Sequence, residues 1–287
     1  MIGFLGIGNM GYPMVKNLLK KDFELYLFDR ELNPNMQNAQ KEGAKIATSL
    51  QELGESCDIF ISMLPSGEVL RELLFGPEHL QQCMKPGSII IDMSSANPIH
   101  TQATSLELKN TSIHLIDAPV VGGVPFAYDG TLEILVGGEG EVIDRCMPIF
   151  QALGKSVTRT GPIGSGHALK SLTNYINTTA MMNMVEAIQI GKSYGIDANV
   201  MAQSLIDTCT TRNHPLVKKV IPKILTRKFD SGMSIGLVAK DLSIALSMAQ
   251  NAQCEHPILK SSTQVVQTMI EELGKQVDQT EVAKFWD

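Results

Sequence analysis

Short apolar runs alternate with amphipathic stretches over roughly the first 160 residues, and then the alternation stops. The apolar runs are Ile2–Leu5, Leu25–Phe28, Ile59–Leu64, Ser88–Met93, His114–Ala118, Leu132–Val136 and Ser156–Arg159. Between the earlier ones lie stretches of helical period, Pro13–Lys20, Asn35–Gln40, Ser66–Leu74 and Asn97–Lys109. Repeated strand–helix–strand units of this kind predict an α/β fold with a doubly wound parallel sheet. Such sheets bind ligands outside the carboxyl ends of their strands. Those ends carry Met63-Leu64-Pro65, Asp92-Met93-Ser94-Ser95 and Asp117-Ala118-Pro119-Val120-Val121-Gly122-Gly123, all rich in small and turn-forming residues. After Gly161-Pro162-Ile163-Gly164 the strand signals vanish and helical periods dominate. They break near Gly195, Asn213-His214-Pro215, Asp230-Ser231-Gly232 and Glu255-His256-Pro257. The expected organisation is an α/β domain over residues 1–162 and an all-helical domain over 163–287, joined by a long helix.

That joining helix opens with Gly164-Ser165-Gly166-His167-Ala168-Leu169-Lys170-Ser171-Leu172-Thr173-Asn174 and continues through Ile176, Ala180, Met184, Ala187 and Ile188. It reads as mostly buried, and it is too long and apolar for the residues after it to cover. The expected solution is a homo-oligomer packed through this helix, a homodimer or a homotetramer. The Met181–Met184 cluster fits helix packing. Lys170 and Asn174 are four residues apart and share a face. A lysine that is buried and unpaired tends to lose its proton, as a general acid/base near neutral pH requires. The alternative is a lysine that snorkels to water from the helix start. His167 reads either as a base facing the same cleft or as a helix-start or surface residue. Arg212 reads as a partner for a substrate anion or as a surface charge.

The amino terminus adds a cofactor signal. The strand Ile2–Leu5 runs directly into Gly6-Ile7-Gly8-Asn9-Met10-Gly11, a GxGxxG pattern followed by an amphipathic stretch. Gly6 permits the tight turn, Gly8 lets the backbone approach a pyrophosphate, and Gly11 allows close packing of helix on strand. The helix N-terminus then offers N–H groups and a positive dipole to the phosphates. Asp29 closes the next apolar run, 18 residues beyond Gly11, where a carboxylate would accept both hydroxyls of an adenosine ribose. An acid there repels a 2′-phosphate and favours NAD. Arg30 beside it can instead pair with that phosphate, which leaves NADP open.

Composition narrows the classes. The chain has 287 residues, 44% of them hydrophobic, and a net charge of −6, enough for real cores. Mild acidity without a Lys/Arg block argues against nucleic acid. Five scattered cysteines form no disulfide framework and no CxxC site, and the six histidines include no HxxxH, so no metal is expected. No apolar run reaches membrane-spanning length. The first strand begins at Ile2, leaving no room for a leader unless one was trimmed before the numbering begins. The expected compartment is a reducing cytoplasm.

Taken together, FLGIGNMGYPM at 4–14, MLP at 63–65, DMSS at 92–95, DAPVVGG at 117–123, GSGHALKSLTN at 164–174 and KDL at 240–242 make the chain resemble the β-hydroxyacid dehydrogenases over essentially its whole length. That resemblance implies a Rossmann domain, a helical domain reached through a long helix, and NAD(P)-linked interconversion of 3-hydroxy acids and their semialdehydes. It implies that Lys170 is the catalytic lysine, with Asn174 one turn later orienting lysine and substrate. Gly122 and Gly123 would hold the substrate carboxylate, with Ser95 and Val121 beside it. Asn9, Met10, Met63, Leu64, Pro65 and Ser95 would contact the cofactor, and Lys240 with Asp241 would lie near the nicotinamide and substrate. The chain departs from the family pattern at three places. Val121 replaces a serine whose hydroxyl contacts substrate, a contact worth about 0.5–1.5 kcal/mol. Thr173-Asn174 replaces an asparagine pair, and Met233 replaces an aromatic residue. These changes point to a more apolar or differently shaped pocket, and leave open a larger or dicarboxylic substrate. A dinucleotide-binding sensor without chemistry is the non-enzymatic alternative.

Overall fold

The computed structural model describes residues 1–210 and 214–286. Arg212 and the break at Asn213 lie outside the described residues. The chain divides into two compact units, Met1–Tyr175 and Ile176–Asp287.

The first unit is built on a nine-stranded sheet. In chain order its elements are β1 (Ile2–Leu5), α1 (Gly11–Leu19), β2 (Leu25–Phe28), α2 (Pro34–Lys41), β3 (Lys45–Ile46), α3 (Leu50–Ser56), β4 (Ile59–Ser62), α4 (Gly67–Phe75) and α5 (Leu80–Cys83). They continue with β5 (Ile89–Asp92), α6 (Pro98–Leu108), β6 (His114–Asp117), β7 (Val120–Val121), α7 (Val124–Asp129), β8 (Leu132–Gly137), α8 (Gly140–Leu153) and β9 (Gly154–Gly161). The strand order β3-β2-β1-β4-β5-β6-β8-β7 is parallel up to β6. β8 then runs antiparallel to β6 and β7, and β9 pairs with it in parallel. The order reverses between β1 and β4, which opens a crevice at their carboxyl ends. Strands β1, β4 and β5 are almost continuously apolar because both faces are covered: Phe4, Phe60, Ile61, Ile89 and Ile91 have no exposed surface. Buried Asn17 on α1 donates to Ala127 O at 2.6 Å, tying α1 to α7.

The long helix α9 (Ser165–Ser193) starts in the first unit, and the division falls inside it. The second unit continues with α10 (Ala198–Cys209), a π-helical segment Leu216–Ile224, α11 (Ile235–Asn251), α12 (Pro257–Leu273) and a final 3-10 turn Gln279–Phe285. Its polar anchors are carboxylates. Glu186 on α9, 9% exposed, accepts the N–H groups of Ile258 and Leu259 at 3.0 and 2.8 Å, capping α12 from another helix. Asp278 gathers the hydroxyls of Ser231 and Thr280 and the amide of Gly232.

The expected burial of α9 is not what one chain shows. From Ser171 to Val185 the helix is mostly exposed, with Tyr175 at 64% and Met181 at 59%, and the next buried positions are Glu186, Ile190 and Gly191. A single copy supplies no described element that covers this apolar face.

Replacing Glu186 by alanine is expected to uncap α12 and destabilise the second unit by about 1–3 kcal/mol. The check is a lowered midpoint in urea unfolding followed by circular dichroism, with glutamine intermediate.

Candidate active site

The turn after β1 can be understood glycine by glycine. Gly6 has φ of +91°, and a Cβ there would run into Met63 O, so only glycine fits between β1 and the end of β4. A Cβ on Gly11 would strike Gly6 O, so α1 can approach the turn only with glycine at its first position. Gly8 differs: a Cβ there would meet nothing within 4 Å. Its smallness answers no protein neighbour and leaves open space at the mouth of the crevice.

Gly6, Gly8, Asn9, Met10, Gly11, Asp29, Arg30, Met63, Leu64 and Pro65, which the sequence assigns to the cofactor, all line one cavity of about 430 Å³. Leu5, Phe28, Val69 and Leu73 give it an apolar wall. The N-terminus of α1 faces it with no side-chain cap and no acidic residue in the first turn. An uncapped helix end leaves backbone N–H groups and positive dipole for an anion, so the donor set fits a dinucleotide phosphate. Asp29 accepts Ile7 N–H at 2.8 Å and Asn33 Nδ2 at 3.2 Å through Oδ2, and Arg30 N–H at 2.8 Å through Oδ1. Its carboxylate is thereby fixed against the glycine turn. Arg30 reaches Glu72 at 3.4 Å, with both side chains about two-thirds exposed, a pair worth little in stability.

The chemistry-bearing residues cluster at the same edge of the sheet. Asp92 and Asp117 end β5 and β6, and α9 begins directly beside them. Asp117, with no exposed surface, accepts Gly164 N–H through Oδ1 and His167 N–H through Oδ2, both at 2.7 Å. It caps α9 with a carboxylate. Burial pushes the Asp117 carboxyl up, while the bonds from His167 and Gly164 pull the other way. Lys170 sits on this clamped end of α9. It is half-buried, burial pushes its ammonium pKa down, and among the described residues no carboxylate pairs with it. Asn174, one turn on, is exposed.

Other sequence-assigned residues lie elsewhere. Ser95 is exposed, while its neighbour Ser94 is buried and takes Leu64 N–H on its hydroxyl at 3.0 Å. Val121 ends β7 half-buried, Gly122 follows with φ of +120°, and Gly123 caps α7. Lys240 and Asp241 belong to α11 in the second unit, 3.4 Å apart and largely exposed. His167 is neither a cleft base nor a surface residue: it is 1% exposed. Asp92, Thr101 and Asp117 were not singled out from the sequence. The one available signal was that both acids end apolar strands, where a charge needs a partner.

A turn, an uncapped helix and a switch-point cavity of this kind mark a dinucleotide-binding protein. The comparisons agree. Residues 1–161 match the model for the NAD-binding domain of 6-phosphogluconate dehydrogenase, and 164–286 match that for the NAD-binding region of NADP-dependent 3-hydroxyisobutyrate dehydrogenase. The 2-(hydroxymethyl)glutarate dehydrogenase of Eubacterium barkeri is 30% identical over 287 residues, covering 100% of this chain and 94% of that one. Mouse mitochondrial 3-hydroxyisobutyrate dehydrogenase is 31% identical over 269 residues, 91% of this chain and 78% of that one. Among solved structures, the fold matches an imine reductase variant from Myxococcus stipitatus in complex with NAD+, with a TM-score of 0.89 at 15% identity over 100% of this chain and 99% of that one. It also matches Mycobacterium tuberculosis 3-hydroxyisobutyrate dehydrogenase with L-serine, with a TM-score of 0.70 at 24% identity over 99% and 98%. The chain belongs to the β-hydroxyacid dehydrogenase family and is an NAD(P)-dependent hydroxyacid dehydrogenase.

The two glycines should separate folding from binding. Gly6→Ala is expected to lower the melting temperature, because its φ and Met63 O both exclude a side chain. Gly8→Ala should melt like the parent yet bind NADH at least about tenfold more weakly, a change of ~1.4 kcal/mol read by fluorescence titration.

Proposed function

We propose that the protein oxidises a small 3-hydroxy carboxylic acid of the 3-hydroxyisobutyrate type to its semialdehyde, and catalyses the reverse, with Lys170 as the proton-transfer group. The observation that carries this reading is a half-buried lysine, with no carboxylate partner among the described residues, on a helix clamped to the strand ends at the same sheet edge as the nucleotide cavity. The bound nicotinamide supplies the hydride acceptor or donor. Lys170 Nζ takes the hydroxyl proton during oxidation and returns one to the carbonyl oxygen during reduction. Asn174 orients that amine and the substrate. The amides of Gly122 and Gly123, with Ser95, hold the carboxylate. The family pattern assigns Lys240 a contact with nicotinamide and substrate, with Asp241 following it on α11. Val121 gives the pocket an apolar wall where a serine hydroxyl is usual, which favours a substrate different in shape from 3-hydroxyisobutyrate. The curated relatives act on substrates of several shapes, from 2-(hydroxymethyl)glutarate to L-serine, so the scaffold tolerates that change.

Asp29 at the adenosine end favours NAD over NADP in this reading. The nucleotide domain comprises residues 1–162 and the substrate domain 163–287. The proposed compartment is the cytoplasm. All five cysteines are free thiols, and no helix among the described residues is long and apolar enough to cross a membrane. The partners are small molecules, without nucleic acid or membrane.

A screen of short 3-hydroxy acids and semialdehydes with NAD and NADP, followed by absorbance of the reduced cofactor, tests the reading directly. Lys170→Ala should lose about 10²–10⁴ in kcat with NADH affinity unchanged. A neutral lysine is the base, so oxidation should rise with pH and level off above the Lys170 pKa, which burial places below 10.5. Reduction should fall over the same range. Turnover that ignores both the substitution and the pH would remove Lys170 from the mechanism.

The exposed apolar face of α9 is proposed to pack against a second copy, giving a homodimer or a homotetramer of two dimers. Light scattering should return at least twice the 31.3 kDa chain mass, and Met181→Glu with Tyr175→Glu should shift it toward one chain.

A further inference from the structure

Six polar side chains with no direct part in that reaction meet where β4, β5 and β6 end. Ser62, Asp92, Ser94, Thr101, Asp117 and His167 are each at most 4% exposed. Burying so much polarity costs free energy unless every group is partnered, and here the partners can be traced. His167 Nε2 lies 3.1 Å from Ser94 O, and a carbonyl only accepts, so Nε2 carries a hydrogen. His167 Nδ1 lies 2.8 Å from Thr101 Oγ1, which is also 3.2 Å from Asn97 O. The threonine hydroxyl can therefore donate to Nδ1, or accept from it and donate to Asn97 O, and the bridge closes either way. Asp92 and Asp117 stand 3.9 and 3.8 Å from the ring nitrogens.

The serine end of this bridge reaches the cofactor wall. Ser94 N–H donates to Asp92 Oδ1 at 3.1 Å, and Ser62 Oγ donates to the same oxygen at 2.9 Å. Ser94 Oγ accepts Leu64 N–H at 3.0 Å, and Leu64 lines the nucleotide cavity. One continuous bonded path thus runs from Leu64 through Ser94 to His167, three residues before Lys170 on the first turns of α9. An imidazole that faced substrate as a base would have a free nitrogen and access to the cleft. This ring has neither.

We infer that His167 is a positioning residue: its imidazole clamps the Ser94–Ser95 loop to the start of α9 and so holds Lys170 in register with the nucleotide loop at Met63–Pro65. The inference rests on the reading of Lys170 as the proton-transfer group. It assigns His167 an effect on the chemical step that a purely structural histidine would not have, because a misplacement of about 1 Å at a reacting group can cost on the order of 100-fold in rate.

The test compares His167→Leu, which keeps volume and loses both bonds, with His167→Gln, which keeps a donor for Ser94 O. Folded H167L is expected to bind NADH within about threefold of the parent and keep substrate KM within about threefold, while kcat falls about 10- to 100-fold. H167Q should recover kcat to within about fivefold of the parent. A folded H167L with parental kcat overturns the inference, and so does an H167Q no better than H167L. If H167L does not fold, Thr101→Val, which removes the far end of the bridge, decides: a fall in kcat with KM and NADH affinity held supports the clamp, and an unchanged kcat overturns it. Lys170→Ala assayed alongside separates the two readings. An active K170A refutes the role of Lys170, whereas an inactive K170A beside an active H167L refutes only the clamp.

Discussion

The carboxylate of Asp117 has no exposed surface, and the geometry of the candidate site hangs on how it is satisfied. A dry, unpartnered carboxylate would cost several kcal/mol. Two backbone N–H groups at 2.7 Å, both from the opening of α9, offset that cost, and the positive end of the helix offsets it further. Only one start for α9 satisfies this acid. A helix begun one residue later would turn each side chain by about 100° and shift it by about 1.5 Å along the axis. Lys170 would then face elsewhere. Close approach is also required: a Cβ on Gly137 would come within 2.6 Å of Asp117 Oδ1, and one on Gly166 would run into Leu135 O.

The strand ends divide the work by chemistry. At β1 and β4 the turns that line the cavity are glycines, Met63, Leu64 and Pro65, which leave it open. At β5 and β6 the strands end in buried acids that organise other protein groups, first the Ser94 loop and then α9. Ser94 links the two regions, because its hydroxyl serves Leu64 while its carbonyl serves His167. Lys170 and the wall of the cavity are therefore referenced to each other through hydrogen bonds within one unit.

The second unit follows another logic. Its helices are held by carboxylates placed at helix ends and turns, Glu186 on α12 and Asp278 on the turns around it, while much of its apolar surface stays exposed in a single chain. An apolar helix in sequence says that something must cover it. It does not say whether the cover is the same chain or another, since the hydrophobic effect has no preference between them.

Much of the fold was legible from periodicity, and the rest was not for definite reasons. The strands of four to six residues are mostly apolar, whereas β9 is largely polar and exposed, and β3 and β7 have two residues each and therefore no period. Helix α8 carries a buried stripe at helical spacing, Val142, Ile143, Cys146, Ile149, Phe150 and Leu153. The sequence by itself determined the nucleotide turn, because the need for Gly6 at positive φ and for Gly8 beside open space is local to a few residues. It likewise determined that Lys170 and Asn174 share a face, since four residues make one helical turn. Tertiary structure alone left the face of α9 open, and it alone decided that His167 is buried between Ser94 and Thr101 and that the Ser94 hydroxyl takes Leu64 N–H. Those outcomes depend on partners 30 to 73 residues away, and hydrogen-bond partners at that distance leave no period to read.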